Sequence, residues 1–302
     1  MQKIQVIFWF IAFILTLISQ ASHANNVTFY ITAHQDDWQL FMSPQAYHDI
    51  INPNNKVIFI YTTAGDAGKG TTWWQARRAG ALSSIQFAKR QKIEYILPTP
   101  IKINSHHIPC HIIGNTKSYF LSLPDGNHKG EGFPITNQQS LAKLKTAAID
   151  SINALVDASN YQTQYNSWTD VVNTIKQIIE TESATSPEDS TVNFINPRTA
   201  QHSDHIYTGF SIEEALSNSN YRQTKFYDYA IMDMEPNVFG DDLAYKTGMF
   251  LFYNQTAFEM PNGIDKLKSK YIKWLSRQYQ SSNTEITHID LPSPEINTDY
   301  PQ

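Results

Sequence analysis

Short apolar runs recur along the chain, and most of them end at a polar or glycine-containing segment. They are rich in β-branched and aromatic residues, which is typical of buried strands. The clearest runs are VTFYITA (27–33), KVIFIYTTAG (56–65), IEYIL (93–97) and TVNFIN (191–196), and SYFLSLP (118–124) is a fifth. We expect a strand over each of these five runs.

Longer stretches between and after the runs carry apolar residues at helical spacing. The strongest is residues 73–91, and WQLFMSPQAYHDII (38–51) has the same spacing with an interruption at Pro44. Further helices are predicted over residues 141–155, 168–182, 243–258 and 263–278. Strands that alternate with helices predict an α/β domain with a parallel sheet and crossover helices.

The N-terminus has the layout of a secretory signal peptide. Lys3 precedes a long apolar run, and Ser22 and Ala24 are small residues where a signal peptidase cleaves. We expect residues 1–24 to be removed and residues 25–302 to form one exported domain, periplasmic or secreted, with a loosely ordered C-terminal tail. The alternative is an uncleaved membrane anchor, because the apolar run approaches the length of a spanning helix.

Composition narrows the class of protein. The 302 residues are 41% hydrophobic and 13% aromatic, which is sufficient for a sizeable core, and the net charge is −5. No block of basic residues stands out, and this argues against nucleic acid as a partner. Cys110 is the only cysteine, so an intramolecular disulfide is excluded.

Two polar clusters each follow a predicted strand. HQDD occupies residues 34–37, and HSDH occupies residues 202–205. In an open parallel sheet, functional sites lie beyond the carboxyl ends of the strands, so both clusters are predicted at the same edge. Two imidazoles and one carboxylate form a three-ligand catalytic zinc site with an open position. A cation there would offset the repulsion between the adjacent carboxylates, and the second carboxylate could act as a base.

These motifs carry a family resemblance. AHQDD (33–37) resembles the AHPDD motif of the PIG-L/LmbE-like zinc de-N-acetylases, and HSDH resembles that family's second motif, His-any-Asp-His. TTAGDAG (62–68) and LPDGNHKGEGF (123–133) look like segments of exported bacterial members. The resemblance runs in order from residue 27 to about residue 255. It implies a Rossmann-like α/β fold, a mostly parallel sheet with helices on both faces.

The resemblance also implies roles for individual side chains. The metal ligands would be His34, Asp37 and His205, and the general base would be Asp36. His202 would donate a hydrogen bond to the oxyanion, and the Asp204 carboxylate would orient a neighbouring histidine. Arg77 would contact the substrate. The implied reaction removes acetyl from an N-acetylated amino sugar, such as N-acetylglucosamine, or from a glycoconjugate. Zinc is the implied metal, and Fe²⁺ is an alternative.

Some positions leave two interpretations open. Asp66 either caps its loop or touches the sugar, and Asp125 is a turn residue or part of the pocket. One of Trp73 and Trp74 is expected in the core, while the other could stack on a sugar face. The histidines near residue 107 (His106, His107 and His111) have no standard ligand spacing, so a loop is favoured there over a second metal site.

The chain departs from the family pattern beside the first motif. Gln35 replaces a usual proline, Trp38 replaces a frequent acidic residue, and Arg78 stands where glutamate is common. We expect the last two to change charge or bulk beside the pocket.

Two other functions stay open: a carbohydrate-binding protein without turnover, and another metal hydrolase such as a phosphoesterase, which usually needs a second metal.

Overall fold

The computed structural model describes residues 26–156, 162–183, 187–259 and 269–281. The predicted signal peptide and the C-terminal tail lie outside the described residues. In the part of the chain that is described, no helix combines the length and the apolarity needed to cross a membrane.

Seven strands form one mostly parallel sheet, as predicted. In chain order they are β1 (Asn26–Thr32), β2 (Asn55–Thr63), β3 (Thr99–Ile103), β4 (His106–Ile113), β5 (Thr116–Leu123), β8 (Ser190–Ile195) and β9 (Arg222–Phe226). A separate ribbon pairs β6 (Ile152–Asn153) with β7 (Gln164–Tyr165). The order in the sheet is β3-β4-β5-β2-β1-β8-β9. Among these seven strands, β4 alone runs opposite to the other six.

Helices cover both faces of the sheet, which confirms the predicted architecture. They are α1 (Asp37–Phe41), α2 (Gln45–Ile51), α3 (Thr71–Ala88), α4 (Leu141–Lys145), α5 (Trp168–Glu182), α6 (Ser203–Ala215), α7 (Gly240–Glu259) and α8 (Ser269–Leu275). Successive strand residues point to opposite faces. Tyr30 and Phe59 therefore pack with α1–α3, α7 and α8, whereas Phe29 and Ile58 pack with α4–α6.

Two predicted elements are wrong. Residues 93–97 form no strand, and Tyr95 and Leu97 are each 75% exposed. The place beside β2 belongs to β5, which is buried along most of its length and reaches the sheet through the β3–β4 hairpin. The helix predicted over residues 141–155 ends at Lys145, because Ala147 takes a φ of 56° and the chain then enters β6.

Candidate metal centre and active site

The two polar clusters converge at the carboxyl ends of neighbouring strands. HQDD follows β1 directly, and HSDH opens α6 after β8, the strand that pairs with β1. His34 Nδ1 lies 3.3 Å from His205 Nε2, although 171 residues separate them. Asp37 Oδ1 lies 3.2 Å from His205 Nε2 and 3.7 Å from His34 Nδ1. Three atoms that can bind a metal thus surround one point, and all three side chains are buried.

This triad fits a small divalent metal ion. A tetrahedral ion with bonds of about 2.0–2.1 Å separates its ligand atoms by about 3.3 Å, close to the spacing found here. His34, His202 and Asp204 form an overlapping group. In that group His202 Nδ1 already accepts the Asp204 N–H, and Asp204 accepts the N–H of Gly126. The triad of His34, Asp37 and His205 is the set that the sequence resemblance implies, and all three of its residues are buried, whereas His202 is only partly buried.

The triad stabilises positive charge. Burial raises the pKa of Asp37, yet the charges of His205 and His34 outweigh this and hold that pKa well below its usual value. Burial lowers the pKa of His205, but Asp37 and Asp228 together raise it to about 9. A divalent ion bound here would displace the imidazole protons. A cation bound in the triad would compensate the charge of Asp37, which is the role that the adjacent carboxylates in the sequence suggest for it.

His205 has an outer partner that the sequence did not reveal. Asp228 Oδ2 lies 2.9 Å from His205 Nδ1 and accepts the Gln201 N–H at 2.8 Å. A carboxylate behind a ligand histidine fixes the ring and its tautomer. Asp228 lies two residues beyond β9, so it follows a strand as the two motifs do. The strand itself, RQTKF, is too polar to be recognised in the sequence.

We expect Asp228→Asn to weaken metal binding by about 10–100-fold, because the carboxylate that orients His205 is lost while the side-chain volume is kept. Competition with a chromogenic chelator measures the dissociation constant. Asp233→Asn, at an exposed position five residues away, is the matched control and should bind as wild type. Wild-type affinity in Asp228→Asn would contradict the orienting role.

Arg77 holds Asp36 in place. Its Nη2 donates to Asp36 Oδ1 at 2.5 Å, its Nε to Tyr253 Oη at 2.8 Å and its Nη1 to the Gly65 carbonyl at 3.0 Å. Gly65 has a φ of 57°, and a Cβ there would approach Gln35 Oε1 to 2.7 Å and Arg77 Nη1 to 2.9 Å. Gln35 Nε2 donates to the Thr63 carbonyl at 3.0 Å, which ties the loop after β1 to the end of β2. These contacts show that Arg77 positions Asp36. The predicted contact of Arg77 with the substrate stays a prediction.

His202 is placed as a neutral hydrogen-bond donor. It precedes α6, and its Nδ1 accepts the Asp204 N–H at 3.1 Å, so the proton of the neutral ring is on Nε2. Burial lowers the pKa of His202 well below its usual value, and the charges on His34 and His205 lower it further. Asp204 Oδ2 lies 3.3 Å from His34 Nε2, which places it behind that histidine.

The two loop carboxylates have different positions. Asp66 accepts the N–H groups of Asp125 and Gly68 at 2.8 and 3.1 Å and does not border the cavity described below. Both oxygens of Asp66 thus accept backbone N–H groups of the loops, and its predicted substrate contact stays a prediction. Asp125 does border the cavity, and its Oδ2 lies 3.8 Å from His34 Nε2.

Trp38 and Arg78 do not line the cavity themselves, although their chain neighbours Asp37 and Arg77 do; their effect on charge or bulk beside the pocket stays a prediction. Trp38 is fully buried and donates its Nε1–H to Tyr61 Oη at 3.0 Å. The Arg78 guanidinium lies 4.8 Å from the Trp74 ring and 4.9 Å from the Phe120 ring. Consecutive helical residues point about 100° apart, so Arg78 faces this core while Arg77 faces the site.

The site borders a small cavity that opens to solvent. One side is polar and carries the triad residues His34 and Asp37. Trp73 also lines the cavity, whereas Trp74 is buried in the core. Among the described residues, groups able to hold a metal occur only around His34. His106 is instead paired with Asp170 at 2.8 Å.

The fold and the triad define a metal-dependent hydrolase on a Rossmann-like α/β sheet. The sequence profile of the PIG-L family, described as GlcNAc-PI de-N-acetylase, matches residues 29–216, and the chain belongs to this family. It is accordingly a metal-dependent de-N-acetylase. A search among curated proteins finds no match.

Two solved structures resemble the chain at low sequence identity. One is the zinc-inhibited form of the teicoplanin deacetylase Orf2, 14% identical, covering 79% of this chain and 87% of that one, with a TM-score of 0.45. The other is a deacetylase–bog complex from teicoplanin biosynthesis, also 14% identical, covering 76% and 84%, with a TM-score of 0.43.

Proposed function

We propose that this chain is an exported, zinc-dependent enzyme that hydrolyses the acetyl amide of an N-acetylated amino sugar or glycoconjugate. The products are acetate and a free amine. The observation that carries the proposal is the convergence of His34 Nδ1, Asp37 Oδ1 and His205 Nε2 beside a cavity that Asp36 and His202 border. A metal-binding triad beside a carboxylate and an N–H donor is the set of groups that amide hydrolysis requires.

Zinc suits the donors of the triad. Two imidazole nitrogens and one carboxylate oxygen are common ligands of catalytic zinc, and three protein ligands leave one position open. Fe²⁺ is the alternative, because imidazole and carboxylate also bind it. When bound, the metal would polarise the amide carbonyl and make a water molecule acidic near neutral pH.

The chain's own side chains handle the protons. Asp36, held by Arg77, takes a proton from the attacking water and later returns it to the leaving amine. His202 donates its Nε2–H to the oxyanion that develops on the amide oxygen, as a preorganised neutral donor. Asp204 and Asp228 hold the rings of His34 and His205.

The proposed substrates are glycans outside the cytoplasm, since the N-terminal segment is predicted to direct export. Derivatives of N-acetylglucosamine are the first candidates. Asp125 and Asn127 border the cavity near the triad and offer acceptors and donors for sugar hydroxyls.

The test is acetate release by metal-depleted and metal-restored protein. We expect no turnover of N-acetylated sugars after chelation and recovery with one equivalent of Zn²⁺, with Fe²⁺ run in parallel. A carbohydrate-binding protein would bind the sugars without releasing acetate. A phosphoesterase would release phosphate from generic esters instead. Either result would contradict the proposed deacetylation.

A further inference from the structure

The guanidinium of Arg77 is fixed from three directions, and one of its anchors comes from a distant helix. Beside its bonds to Asp36 and to the Gly65 carbonyl, its Nε donates to Tyr253 Oη at 2.8 Å. Three of the five N–H groups of the guanidinium are thus used. Asp36 and Gly65 each follow a strand closely, whereas Tyr253 is fully buried on α7, 176 residues beyond Arg77.

The charge states of these groups suit a fixed support. Burial lowers the pKa of Arg77, but the charge of Asp36 outweighs this and raises that pKa well above its usual value, so the guanidinium stays charged. Burial raises the pKa of Tyr253 well above its usual value, so its hydroxyl stays neutral. A neutral hydroxyl can accept the Nε–H, and it leaves the charge of Arg77 to be balanced by Asp36.

Gly80 lets α7 approach α3 at this level. It lies three residues after Arg77, on the same face of α3. A Cβ at Gly80 would come within 2.8 Å of the Tyr253 carbonyl oxygen and within 2.9 Å of Tyr253 Cδ2. Glycine inside a helix is less favourable than alanine, so the close approach of Tyr253 is what explains its presence here.

The register of α7 along α3 is fixed by contacts on both sides of Tyr253. Ser84 Oγ donates to the Met249 carbonyl at 2.7 Å, and Thr256 Oγ1 donates to Ser83 Oγ at 3.0 Å. Met249 lies one turn before Tyr253 and Thr256 nearly one turn after it. A shift of α7 would break both contacts, so the Tyr253 hydroxyl is held at a defined height along α3.

We propose that Tyr253 is a positioning residue for the general base: it fixes Arg77, and Arg77 in turn aims the Asp36 carboxylate at the water to be deprotonated. Gly80 is part of the same device, because it sets the distance between the two helices. Tyr253 does not line the cavity, so it acts only through Arg77. The inference rests on the proposed function, in which Asp36 takes the proton.

The first test is Tyr253→Phe in the metal-loaded protein. The variant keeps the ring and leaves the buried Nε–H of Arg77 without its acceptor. We expect kcat for acetate release to fall about 10–100-fold, because a displacement of about 1 Å at the reacting groups can cost about 100-fold. KM and metal content should stay near their wild-type values. Wild-type kcat in Tyr253→Phe would overturn the positioning role.

Tyr119→Phe is the matched control. Tyr119 is also fully buried, and its hydroxyl donates to Glu182 at the end of α5, on the other face of the sheet from α3. This variant loses a buried hydrogen bond as Tyr253→Phe does, but it should keep wild-type kcat. An equal fall of kcat in both variants would mean that loss of stability, and not the position of the base, lowers the rate.

A second variant tests the distance between the helices. Gly80→Ala should lower kcat in the same way as Tyr253→Phe, because the added methyl group pushes Tyr253 away, although alanine favours the helix itself. Thermal unfolding shows whether the variant is folded. Unchanged kcat in folded Gly80→Ala would overturn the role of Gly80.

The deciding kinetic measurement combines Tyr253→Phe with Asp36→Asn. Because Tyr253 acts through Asp36, its substitution should add little to the loss that Asp36→Asn already causes. A general defect in structure would lower the rate in both backgrounds alike. Full additivity of the two losses would therefore overturn the proposal.

Nuclear magnetic resonance of isotope-labelled protein separates this proposal from the proposed function. The Arg77 Nε–H signal, assigned with Arg77→Lys, should exchange slowly with water in wild type and faster in Tyr253→Phe. If no N-acetylated sugar is hydrolysed but this protection is lost in the variant, deacetylation fails and the anchoring by Tyr253 stands. If wild type hydrolyses the sugar and Tyr253→Phe keeps full kcat, the positioning role fails and deacetylation stands.

Discussion

Asp36→Asn is expected to lower kcat for amide hydrolysis by about 10²–10⁴-fold, the range associated with a positioned general base. The amide keeps the volume of the carboxylate, and its oxygen can still accept the Arg77 Nη2–H that now binds Asp36 Oδ1 at 2.5 Å. It cannot take a proton from water. Saturation kinetics with an established substrate measure kcat, and elemental analysis measures bound metal.

Metal content is what makes this variant informative. The triad does not include Asp36, so the variant should hold as much metal as wild type. Asp150→Asn, at an exposed carboxylate on a turn, is the control and should keep both activity and metal. Wild-type kcat in Asp36→Asn would remove Asp36 from the mechanism. Loss of metal along with activity would place Asp36 among the ligands instead of Asp37.

His205→Ala is expected to lose the metal and, with it, turnover. Its Nε2 is one of the three converging atoms, at 3.2 Å from Asp37 Oδ1. Removing an outer partner of a metal ligand typically costs 10–100-fold in affinity, so removing a ligand should cost more than about 100-fold. The variant should therefore contain well below one equivalent of metal under conditions in which wild type retains it.

A second variant guards against an effect of misfolding. His205→Ala also leaves the fully buried Asp228 without its imidazole partner, which destabilises a protein. His205→Gln keeps a polar side chain near Asp228, and thermal unfolding shows whether either variant is folded. His107→Ala, at an exposed histidine, should retain the metal. Tight binding of one equivalent by folded His205→Ala would mean that the two motifs do not form one site.

Local sequence pattern predicted the elements whose apolar positions follow a clear strand or helix spacing. The runs at 27–33, 56–65, 118–124 and 191–196 are strands in the structure within a few residues, and α5 has the predicted bounds of 168–182. The run at 93–97 is equally apolar but is not a strand. An apolar composition favours burial, but it does not decide which segment pairs with β2. In the structure β5 takes that position, and residues 93–97 stay outside the sheet.

The part of the candidate site that could be predicted from the sequence is the part in which several functional residues lie next to one another in the chain. HQDD and HSDH are recognisable because each places several ligand-type residues in four consecutive positions after a strand. Asp228 was not recognisable from the sequence, because it is a single residue after a polar strand and its contact in the site is with His205. Arg77 was noticed, but its contacts with Asp36 and Tyr253 depend on how α3 packs against α7.

The sequence by itself determined the chemistry that is available: which side chains can bind a metal, which can transfer a proton, and that they follow strands of one sheet. Only the tertiary structure decided which atoms meet, because His34 and His205 are 171 residues apart and their 3.3 Å contact depends on the pairing of β1 with β8. The same holds for the cavity beside the triad. Its lining residues come from several helices and loops, and long-range packing, which no local pattern encodes, brings them together.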